Sequence, residues 1–66
     1  MIRNYFNGVS SFTYDGKMVS IEFADEIRNQ KGEIKKNVVA NLVTDFENFE
    51  AVCNYLLHEI ENCKIH

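Results

Sequence analysis

The chain predicts an α+β domain: a three-stranded antiparallel β-meander with one C-terminal α-helix packed on one face. Three observations lead there. An Asp15-Gly16 pair joins two alternating segments, a second turn is flanked by opposite charges, and a capping sequence opens a long apolar stripe. Strands then fall at about 5–14, 17–28 and 33–43 and the helix at about 45–63, all within one small domain of residues 1–66.

FTYDGKMVSIEF, residues 12–23, carries the first hairpin. Asp-Gly suits a type I′ turn, whose two central residues both need positive φ. A two-residue loop there pairs Tyr14 with Lys17, Phe12 with Val19 and Ser10 with Ile21. One face then carries Phe12, Tyr14, Val19, Ile21 and Phe23. The other carries Ser11, Thr13, Ser20 and Glu22, together with Val9 and Met18. A one-residue slip would exchange the faces of one strand only, so the clean division supports this register.

The second hairpin follows from ADEIRNQKGEIKKN, residues 24–37. A four-residue turn at Asn29–Gly32 sets Arg28 opposite Glu33, Ile27 opposite Ile34, Glu26 opposite Lys35 and Asp25 opposite Lys36. Cross-strand pairs contribute about 0.2–1 kcal/mol each, and exposed ionic ones less. Extended further, the register places Phe23 against Val38, Ile21 against Ala40 and Val19 against Leu42, on the face already apolar. Gly16 and Gly32 belong to the turns, and Gly8 is expected at a bulge or bend.

TDFE, residues 44–47, has the capping-box form, with Thr44 as the cap and Glu47 reaching back to it. Phe46, Phe49, Cys53, Leu56, Ile60 and Cys63 follow at three- and four-residue steps, flanked by Val52 and Leu57. Glu47, Glu50, Asn54, His58 and Glu61 lie on the other side, which makes the helix amphipathic.

Composition removes several classes of function. No stretch approaches the roughly 20 apolar residues of a membrane span, and the N-terminus lacks the apolar segment of a secretory leader, so a cytoplasmic location is expected. A net charge of −3 argues against nucleic acid as the partner. The chain contains no phosphate-binding, dinucleotide-binding, nucleophile-elbow or zinc-protease motif, so neither catalysis nor a cofactor is expected. Cys63-x-x-His66 has ligand-like spacing, but His58 points elsewhere on a regular helix, so no metal site is expected. Cys53 and Cys63 read as small apolar residues of the helix.

The expectation that remains is a small non-catalytic protein–protein interaction module acting as a homodimer. A domain this short buries only about 60% of the surface its unfolded chain exposes, so association helps to hold it together. The candidate interface is the second sheet face with Val9, Met18, Val39 and Val43, together with Tyr5 and Phe6 before the first strand. Stacking of two such faces is favoured over edge-to-edge pairing of strands, since these residues would otherwise remain hydrated. An alternative is an inhibitor encoded by a phage or mobile element, occupying a basic protein surface through Glu47, Glu50 and Glu61. A third reading, an antitoxin-like DNA-binding protein, would use Lys31, Lys35 and Lys36, but Asp25, Glu26 and Glu33 lie beside them.

Overall fold

A computed structural model describes residues 3–65. Its elements are β1 (Gly8–Tyr14), β2 (Met18–Arg28), β3 (Ile34–Asp45) and α1 (Phe46–Ile65). The strands form one antiparallel sheet in the order β1-β2-β3, and α1 packs on one of its faces. The α+β meander with a C-terminal helix is therefore the architecture of this chain.

Both turns close differently from the sequence expectation. In the first, Asp15 N–H donates to the Met18 carbonyl at 3.2 Å, so Gly16 and Lys17 are the central residues. Gly16 has φ +98°, and among the described residues no non-glycine has positive φ. That places glycine first in a II′-like turn instead of second in a I′ turn. The Asp15 side chain explains the choice: its Oδ1 accepts from Lys17 N–H at 2.9 Å and Met18 N–H at 2.7 Å. These bonds favour the ionised carboxylate and hold its pKa below the ordinary 3.8.

Tyr14 consequently pairs with Val19 and Phe12 with Ile21, two residues from the expected register. A two-residue shift leaves every side chain on its face, so the apolar set survives. It does not survive at Val9. A bulge between Val9 and Ser11 sets Val9 opposite Phe23 and moves it to the helix side.

The second turn is one residue tighter than expected, because Asn29 N–H donates to Glu33 O at 3.0 Å. Asn29 Oδ1 also accepts from Lys31 N–H and Glu33 N–H, both at 2.9 Å, and Gly32 takes φ +82°. Glu26 therefore opposes Lys36 instead of Lys35, and Asp25 opposes Asn37 instead of Lys36. The Lys36 Nζ to Glu26 Oε1 distance is 3.7 Å. This odd shift transfers Ile34 and Val38 to the outer face, opposite Arg28 and Ala24. An irregularity at Val39 corrects it, returning Ala40 to Phe23 and Leu42 to Ile21 on the helix side.

The first strand begins at Gly8, later than expected. Asn7 substitutes its side-chain amide for a strand peptide: Nδ2 donates to Glu26 O at 3.0 Å and Oδ1 accepts Glu26 N–H at 2.7 Å. At the other end β3 enters α1 without a loop. Thr44 stays paired with Val19, so the cap is Asp45, whose Oδ2 accepts the Asn48 N–H at 3.1 Å. That bond lowers the Asp45 pKa from 3.8.

Candidate functional site

The helix does not close over the sheet. Phe46 meets Tyr14 with ring centroids 5.1 Å apart, and Phe49 meets Phe12 at 5.6 Å. Both contacts lie in the first two turns of a helix of 20 residues, which is about 30 Å long. No residue of α1 is fully buried. Among the described residues only Val19 and Ala24 are wholly shielded from solvent.

Between α1 and the helix side of the sheet lies an open wedge of about 650 Å³. Val19 forms its floor, Val9, Ile21, Phe23 and Leu42 continue along the sheet, and Val52, Cys53 and Leu56 face them from the helix. Thr44 and Cys53 bring the only side-chain hydroxyl and thiol to this lining. A lining of this kind suits the removal of apolar groups from water. Beyond it, Leu57 (60% exposed) and Ile60 (46% exposed) have nothing above them.

The residues expected to form an interface do not make one patch. Met18 is on the outer face with Ser20, while Val9 has moved into the wedge. Phe6 also belongs to the helix side, its ring meeting Phe23 with centroids 4.9 Å apart and planes tilted by 57°. Tyr5 is exposed. Val39 occupies the irregularity, and its carbonyl accepts from Asn4 Nδ2 at 3.3 Å. Val43 pairs with Ser20 on the outer face but also reaches the wedge rim at the end of the β3 edge.

The outer face is instead laced by polar side chains. Ser11 Oγ donates to Glu22 Oε1 at 3.1 Å and Ser20 Oγ to Asn41 Oδ1 at 3.1 Å, with the Lys36–Glu26 pair beyond them. Groups already bonded to one another across strands sit comfortably in water. Met18 and Val43 remain exposed at one end of these bonds and Ile34 and Val38 at the other.

Glu47, Glu50 and Glu61 are all exposed on α1, and Glu61 lies 3.9 Å from Lys64. Lys31 and Lys35 are exposed near the second turn. Cys53 is a half-buried free thiol and Cys63 an exposed one. His66 lies outside the described residues. Among the described residues no group of three His, Cys, Asp or Glu converges as a metal site, and no helix is long and apolar enough to cross a membrane.

One signal in the sequence pointed to the wedge. Phe46, Phe49, Cys53, Leu56, Ile60 and Cys63 keep a strict alternation of three- and four-residue steps. With Val52 and Leu57 beside it, this stripe offers more apolar face than the contacts of Phe46 and Phe49 with the sheet use. No family model matches the chain, and comparison with curated proteins and with solved structures finds no match.

Proposed function

We propose that the chain is a non-catalytic protein–protein interaction module that operates as a homodimer. The supporting observation is its excess of surface. The accessible area is 5845 Å² for 7.7 kDa, whereas a folded monomer of this mass exposes about 4,300 Å². The radius of gyration is 14.7 Å, against about 11 Å for a compact chain of this length. The extra area of roughly 1,500 Å² exceeds the ~800 Å² that each partner buries in a standard interface, and falls within the range of obligate homodimers. Much of it is apolar, including Leu42 at 61% and Val43 at 62% exposure, which a lone soluble chain rarely presents in one patch.

The measurement is mass by light scattering at micromolar concentration. The expected value is twice the 7.7 kDa of the chain, and a monomer throughout refutes the reading. Cys53 and Cys63 would work as thiols, as in a reducing cytoplasm. The second reading, an inhibitor that covers a basic surface, is favoured by the exposure of Glu47, Glu50 and Glu61. Reversing Glu47 and Glu61 to Lys should then abolish binding to a basic partner while leaving the dimer unchanged.

A further inference from the structure

We infer that the wedge is filled by α1 of a second copy, running antiparallel, with Leu56 facing Ile60 of the other chain and Cys53 facing Cys63. This rests on the homodimer reading and specifies its interface. Three observations converge on it. The surplus area matches one dimer face. The apolar wedge runs on, along α1, into an uncovered stripe that ends at Cys63. On the outer face polar cross-strand bonds lie between the exposed Met18 and Val43 at one end and Ile34 and Val38 at the other, whereas the apolar lining of the helix side is continuous.

The register follows from which positions are already used. In the seven-residue repeat of the stripe, Phe46, Cys53 and Ile60 hold one seam position and Phe49, Leu56 and Cys63 the other. Antiparallel helices place the first kind opposite the second. Phe46 and Phe49 are spent on Tyr14 and Phe12 of their own sheet. That leaves Cys53, Leu56, Ile60 and Cys63, and a two-fold axis beside the middle of this set pairs Leu56 with Ile60 and Cys53 with Cys63, each twice. Glu50 then comes beside Lys64 of the second copy, an opposite-charge contact on one flank. The other flank brings the two Glu59 side chains together, a repulsion that weakens the pair without changing its register.

The two cysteines make the geometry testable. Cys53 and Cys63 should be adjacent between chains, whereas each lies about 15 Å along the axis from its own copy, ten residues at 1.5 Å apiece. A short bis-maleimide applied to the reduced wild-type chain is expected to give a covalent dimer. Cys53→Ser alone and Cys63→Ser alone should each lose it, and mixing the two variants should restore it, since one chain supplies Cys63 and the other Cys53. Far-UV circular dichroism checks that both variants stay folded. Cross-linking retained in either single variant overturns the antiparallel register. A wild type that is dimeric by mass but does not cross-link overturns the wedge interface and leaves the homodimer standing. A monomeric wild type removes both.

Discussion

Val19→Ala is the sharpest test of how this fold is held together. Val19 is 0% exposed and is the one large side chain in that state. The substitution removes two carbons, a transfer loss of about 1.6 kcal/mol at ~0.8 kcal/mol each. The space left beneath Tyr14 and Thr44, its cross-strand partners, adds a cavity contribution, for a total of about 2–3 kcal/mol. A chain of this length has a stability of roughly 3–10 kcal/mol, so a fifth or more is at stake. In urea, with a slope near 1 kcal/mol/M for a small domain, the midpoint should fall by about 2 M with the slope unchanged. Val38→Ala is the comparison: it removes the same atoms from an outer-face site that is 52% exposed, and should cost under about 1 kcal/mol. Both are measured at one protein concentration, because any self-association would make apparent stability concentration-dependent. If Val19→Ala destabilises no more than Val38→Ala, the picture of a minimal core centred on Val19 is refuted.

Two further outcomes follow from the turn and the cap. Gly16→Ala meets no heavy atom within 4 Å, so its penalty is purely that of φ +98°, about 1 kcal/mol or somewhat more in thermal or urea unfolding. A D-alanine at the same position, introduced by chemical synthesis, should be neutral or stabilising, and equal losses for both would refute the turn assignment. Asp45 is the second case, with a folded pKa lowered from 3.8, first by the Asn48 N–H. A depressed carboxylate stabilises above its unfolded pKa and loses that contribution as pH falls through the folded value. Asp45→Asn should therefore flatten the acid side of the stability profile below pH 3.8 and leave neutral-pH helix content almost unchanged. An acid limb identical to wild type would exclude Asp45 as the cap.

Element type and order were legible because they depend on local periodicity. Alternation through Phe12, Tyr14, Val19, Ile21 and Phe23 specifies a strand face whatever the partner strand does. Pairing was less legible. The Asp15 carboxylate and the Asn29 amide each capture backbone N–H groups in the turn, and such bonds select between hairpin closures that the residue pattern alone permits equally. The irregularities at Ser10 and Val39 then decide which face Val9 and Val38 occupy, through the connectivity of the whole sheet.

By itself, then, the sequence determined three strands, one helix, their order, and which side of β2 is apolar, since each rests on neighbours a few residues apart. Only the tertiary structure decided where the apolar surface goes. A strand that passes into a helix without a loop carries α1 away from the sheet after two turns. The stripe from Cys53 to Cys63 is left uncovered, and Val9, expected on the outer face, lies in the wedge on the other side.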